Sequence, residues 1–147
     1  MLVKRMQDFL FDPEWGFGPG PSDSTLVSHF EGDNGSFIVA LSVREDAQQL
    51  VFYAYAPDVT PDEHLGAMME LVTRANYGLI IGNFELDLVD GEVRFKVALD
   101  VEGLEDPTVV VKSHLAAALT TLDQYFPAIV AVQSGEKTAA DALAQVE

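Results

Sequence analysis

Cysteine is absent from the 147-residue sequence, which excludes disulfides, thiolate catalysis and the commonest zinc ligands. Basic side chains are scarce. Eight Lys and Arg stand against 24 Asp and Glu, for a formal net charge of −16. Arg44, Arg74, Lys112 and Lys137 are scattered along the chain, so the clustered positive patch that nucleic-acid binding needs is missing and direct nucleic-acid binding is disfavoured. Histidine is also sparse. His29, His64 and His114 fall on separate expected elements without the paired spacing of a metal site, so neither a metal nor a cofactor is expected. The longest apolar stretch, residues 108–132, carries Lys112, His114, Asp123 and Pro127, which a bilayer-spanning helix would not readily hold. The start resembles no signal peptide, because Lys4 and Arg5 are followed by Asp8 and Asp12 and no small-residue cleavage site appears. A cytoplasmic protein with no membrane partner is the expectation.

With 48% hydrophobic residues, the chain has enough apolar surface for one core, and a single domain over residues 1–147 is expected. Residues 1–23 read as an N-terminal helix and a Gly/Pro-rich loop, 24–133 as the core, and 134–147 as a tail with a short helix after Thr138. In the first helix Leu2, Val3, Met6, Phe9 and Leu10 recur at helical spacing. The loop over residues 12–24 contains Gly16-Phe17-Gly18-Pro19-Gly20-Pro21. It is no phosphate-binding turn, since its prolines have no N–H to offer. Residues 25–30, 36–43 and 49–56 read as three strands of an antiparallel meander, the third apolar on both faces. Thr60-Pro61-Asp62-Glu63 has the form of a capping box opening a helix over 62–77. Asp90-Gly91 reads as the two-residue loop of a hairpin pairing Leu88 with Val93, Leu86 with Phe95 and Phe84 with Val97. On the other face Asp87 meets Arg94 and Glu85 meets Lys96. A long helix then runs from Asp106 or Pro107 through Val132, with Pro127 bending it, and Ala140, Leu143 and Val146 anchor the tail. The fold class is α+β, with a three-strand meander, a helix and a two-strand hairpin in one antiparallel sheet flanked by helices.

No catalytic residues stand out. Glu85 and Asp87 could supply paired carboxylates, but their expected partners Arg94 and Lys96 would hold both ionised, which favours structure over acid/base work. No serine sits in a nucleophile elbow. The sequence therefore reads as a non-enzymatic protein-binding module, with a small-molecule sensor or small enzyme built across the sheet and helices as the alternative.

Asn76, then Gly82-Asn83-Phe84-Glu85, then Asp90-Gly91-Glu92-Val93, then Asp123-Gln124-Tyr125-Phe126-Pro127 and Gly135 occur in an order that resembles the YbjN family of bacterial proteins from about Ser24 onward. That resemblance implies a fold similar to type III secretion chaperones, a regulatory role linked to stress responses, and a dimer that holds a protein or extended peptide client. It transfers no catalytic residues. The expected homodimer or partner surface comprises Leu65, Met68, Met69, Leu71, Val72, Tyr77, Ile81 and Phe84, on the middle helix and the neighbouring strand. Asn76, Gly82, Asn83, Asp90 and Gly91 are the expected structural motif. Leu79 to Gly82 reads as apolar edge strand needing cover, which symmetric pairing would supply. The alternative is a monomer in which the long C-terminal helix covers that surface.

Overall fold

The computed structural model describes all residues, Met1 to Glu147. The elements are α1 (Leu2–Leu10), β1 (Gly18–Pro19), β2 (Thr25–Glu31), β3 (Ser36–Arg44), β4 (Gln49–Val59), α2 (Leu65–Gly78), β5 (Asn83–Leu86), β6 (Glu92–Asp100), α3 (Thr108–Gln133) and α4 (Ala139–Ala144). The architecture is α+β, a six-stranded antiparallel sheet in the order β1-β2-β3-β4-β6-β5. The meander is present as β2-β3-β4. The sixth strand is the two-residue β1, from the segment read as loop, which pairs Gly18 with Val27 and Pro19 with Leu26.

Alternation along the strands sends one set of side chains into the core and leaves the other on an open face. Phe37, Val39, Leu41 and Val43 of β3 and Leu50, Phe52, Ala54 and Ala56 of β4 are buried, as are Val93, Phe95 and Val97 of β6. Against them pack Leu2, Met6 and Leu10 of α1, Met68, Leu71 and Ala75 of α2, and Val111, Leu115, Ala118 and Leu122 of α3. All belong to one cluster of 32 buried hydrophobic residues. By length and composition α3 alone could cross a membrane, yet it lies along the core with ten buried residues. Val130, expected on its packed stripe, is 42% exposed.

Four local expectations are corrected. The hairpin pairs Leu86 with Val93, Glu85 with Arg94, Phe84 with Phe95 and Asn83 with Lys96, two residues away from the expected register. Asp87 accordingly lies opposite Glu92 rather than Arg94, and its N–H donates to the Glu92 carbonyl. Leu88 to Gly91 form a four-residue loop closed by Gly91 N–H on the Asp87 carbonyl. A two-residue Asp-Gly turn needs positive φ at both residues, whereas here only Gly91 has it, at φ +83°. The loop is held by the Asp87 and Asp90 carboxylates, which accept from the N–H groups of Val89 and Glu92.

Thr60 is no helix cap. Its N–H donates to the Gly91 carbonyl and its side chain is buried near Gln133, so the chain enters α2 through a 3₁₀ turn at Asp62–His64 with no side-chain cap. Residues 79–82 are an irregular connection rather than strand, and β5 begins only at Asn83. In the tail Ala139 and Ala142 are the buried anchors and Ala140 is exposed, because Thr138, accepting from Asp141 N–H, sets the phase of α4.

Candidate functional site

The residues expected at a partner surface divide by the phase of α2. Met68 and Leu71, with Ala75, form the buried side of α2, which packs against β5, α3 and α4, and they are 0% and 2% exposed. Phe84 is buried too, its ring edge-on to Phe95 and Tyr125 at 4.8 and 5.4 Å between centroids. Met68, Leu71 and Phe84 are corrected from surface to core, because β5, α3 and α4 cover the Met68 side of α2 and Phe95 and Tyr125 cover Phe84. Leu65 and Val72 are half-buried, whereas Met69, Tyr77 and Ile81 are exposed.

Leu65, Met69, Val72 and Asn76 follow one another at four- and three-residue steps, and so share one side of α2. Asn76 fixes where that side faces. Its Nδ2 donates to the Phe84 carbonyl at 3.0 Å and its Oδ1 accepts from Phe84 N–H at 2.7 Å. The amide thus occupies both main-chain groups that Phe84 would offer to a further strand, on the strand that ends the sheet. Gly82, at φ +76°, brings the chain into β5 against the Phe95 ring, and Asn83 Nδ2 donates to the Phe84 carbonyl. At the other end of the sheet Pro19 has no N–H to offer an incoming strand. Beyond the Asn76 contact stand Tyr77 and Ile80, 96% and 94% exposed, and Ile81 at 44%.

The open face of the sheet carries a polar cluster. Glu85 accepts from Arg94 at 2.7 Å and from Lys96 at 2.8 Å, and the Arg94 guanidinium stacks over the Tyr53 ring at 4.1 Å. Partial burial pushes the Glu85 carboxyl up, but the hydrogen bonds and charges of Lys96 and Arg94 outweigh it and hold Glu85 below its ordinary value. Asp87 takes no part in this cluster. One carboxylate locked between two cations, with its former companion in the loop, has no proton to exchange near neutral pH. Tyr55 on the same face is raised by burial.

Sequence reasoning missed two long-range contacts. Asp123, in the middle of α3, accepts from the N–H groups of Asp33 and Asn34 at 3.0 and 2.8 Å, and its carbonyl accepts from Asn34 Nδ2 at 2.9 Å. Pro127 has no N–H for that carbonyl, so the β2–β3 turn takes the place of the missing helical bond. Glu45, in the β3–β4 turn, accepts from the first amides of α1, Leu2 at 2.7 Å and Val3 at 3.3 Å. The helix-interrupting proline after an aspartate was the available signal for the first contact; nothing local marks the second.

The three histidines stay apart, His29 beside Glu31, His64 beside Glu63 and His114 against the Val110 carbonyl. Together these features describe an acidic α+β protein in which two of the most exposed apolar side chains, Tyr77 and Ile80, stand on the segment leading from α2 into β5. The family model for YbjN, described as "Putative bacterial sensory transduction regulator", matches residues 6–131, and the chain belongs to that family. No curated protein and no solved structure matches the chain.

Proposed function

We propose that this chain is a non-catalytic, cytoplasmic protein-binding module of regulatory or chaperone-like role, working as a homodimer that engages a protein or peptide client. The observation that carries the reading is the run of apolar side chains left uncovered on α2 and the connection into β5: Met69, Tyr77, Ile80 and Ile81 are exposed, and Leu65 and Val72, on the Met69 side of the helix, are half-buried. Side chains of this kind placed together mark a contact surface, whereas single exposed apolar residues need no explanation. A chain of net charge −16 stays soluble while presenting such a patch. Because Asn76 occupies the Phe84 main-chain groups, the two copies meet through helix and connection side chains rather than by pairing β5 with β5.

Light scattering on the purified chain tests this. Twice the 16.0 kDa chain mass is expected, falling to 16.0 kDa in a Met69→Glu/Ile81→Glu variant that keeps the native circular dichroism spectrum. A single-chain mass across the micromolar range for the unmodified protein overturns the dimer. Charged substitution at Met68 or Leu71 would test only the core, since both are buried.

A further inference from the structure

On the helix-covered side of the sheet, far in sequence from α2, an apolar cleft opens between the loop after α1, strands β2 and β3, and α3. Its volume is about 150 Å³, and its walls are Trp15, Phe17, Phe30, Val39, Leu115 and Leu119. Trp15, Phe30 and Leu119 are only half-buried, so large apolar side chains that could have closed on one another instead leave a space between them. The mobile-looking composition of the loop is misleading, because the wall that carries Trp15 is fastened at several points. Ser28 Oγ lies 3.0 and 3.2 Å from the Trp15 and Gly16 carbonyls, Phe17 N–H donates to Leu10, and Gly20 N–H donates to Thr25. Trp15 also packs on Phe9, with ring centroids 5.9 Å apart. The cleft is therefore formed before any ligand arrives.

Its polar lining is one carboxylate, one hydroxyl and one imidazole. Glu14 and His29 complete the lining with Ser28, His29 Nδ1 lies 3.2 Å from the Glu31 carboxylate, and no Lys or Arg contributes. A cavity of about this volume admits a single six-membered ring. We propose that this cleft binds a small arylalkyl cation, with its ring between Trp15 and Leu119 and its ammonium on the Glu14 carboxylate. The ring exchanges water for apolar contact, and the indole face of Trp15 and the carboxylate both favour positive charge. The net charge of −16 raises the local concentration of a cation and disfavours the corresponding anion. This site is separate from the α2 surface, so its failure and the failure of the dimer reading are distinguishable.

Trp15 is the sole tryptophan, so its fluorescence reports the cleft directly. At pH 7 and 0.15 M salt, phenethylamine is expected to change the emission saturably. Phenethyl alcohol should bind about threefold to fivefold more weakly, the range of one exposed charge contact. Phenylacetate should bind more weakly again. Glu14→Gln is expected to bring the amine within about twofold of the alcohol, and Leu119→Phe, which fills the cleft, to abolish both responses. In the unmodified protein the amine should shift the methyl resonances of Val39, Leu115 and Leu119, which needs no variant to fold. Phenylacetate binding as tightly as the amine, an amine preference untouched by Glu14→Gln, or unmoved methyls in the unmodified protein would each overturn the proposal.

Discussion

Replacing Asp123 by Ala removes the acceptor for two main-chain N–H groups of the β2–β3 turn, Asp33 at 3.0 Å and Asn34 at 2.8 Å. Hydrogen bonds to a charged group contribute about 1.5–3 kcal/mol each where water is excluded. Asp33 and Asn34 are exposed, so water replaces part of each bond and the net loss is about 1 kcal/mol per bond, about 2 kcal/mol in all. With a urea slope of about 1–3 kcal/mol/M for a domain of this size, the unfolding midpoint should fall by roughly 1 M. Asp123→Asn keeps one acceptor oxygen and should lose about half as much. Asn34→Ala removes the Nδ2 bond to the Asp123 carbonyl and should cost about 1 kcal/mol. Its effect depends on Pro127: restoring a main-chain N–H with Pro127→Ala supplies a helical donor for the same carbonyl. The Asn34→Ala loss should therefore shrink in the Pro127→Ala background, a coupling that a double-mutant cycle reads directly. A loss below about 0.3 kcal/mol for Asp123→Ala, or full additivity of Asn34→Ala and Pro127→Ala, would refute the account of the turn as a substitute for the helical bond.

Gly91→Ala should destabilise by about 2–4 kcal/mol in chemical denaturation, since φ is +83° and a Cβ there would lie 2.1 Å from the Thr60 carbonyl oxygen. A loss under about 1 kcal/mol would mean that the loop relaxes freely away from Thr60. The pH dependence of stability should carry a contribution from Glu85. Its carboxyl is held below the ordinary value of 4.5 in the folded chain, so between the two values the unfolded chain binds more protons and stability rises with pH. The contribution is complete above pH 4.5 and is lost as pH falls through the lower folded value, and Glu85→Gln should flatten that part of the acid limb. An acid limb identical in the two proteins would remove Glu85 from the explanation.

The periodicity of α1, the alternation of β3 and the length of α3 were legible because each is a property of neighbouring residues. Leu2, Met6 and Leu10 must share a side of a helix, and Phe37, Val39, Leu41 and Val43 must share a face of a strand, whatever they pack against. The α+β class and the family follow from the order of such segments. The hairpin register was not legible, because sliding the pairing by two residues leaves every side chain on its own face. Apolar still meets apolar, and Glu85 keeps Lys96 and gains Arg94. In the observed register the Gly91 carbonyl accepts from Thr60 N–H, a long-range contact that no local pattern marks.

Helix phase was decided in the same way. Nothing local to α2 says that Met68 is buried while Met69 meets solvent, since both belong to one apolar stripe. Strand β5 and helices α3 and α4 settle it by covering one side. The cleft beside Trp15 depends on residues from four segments, and the Asp123 contact joins residues about 90 positions apart. Local spacing determined which elements form, because periodicity acts within a few residues. Only the tertiary structure decided which apolar side chains remain outside, because that depends on what surface the other elements leave to cover them.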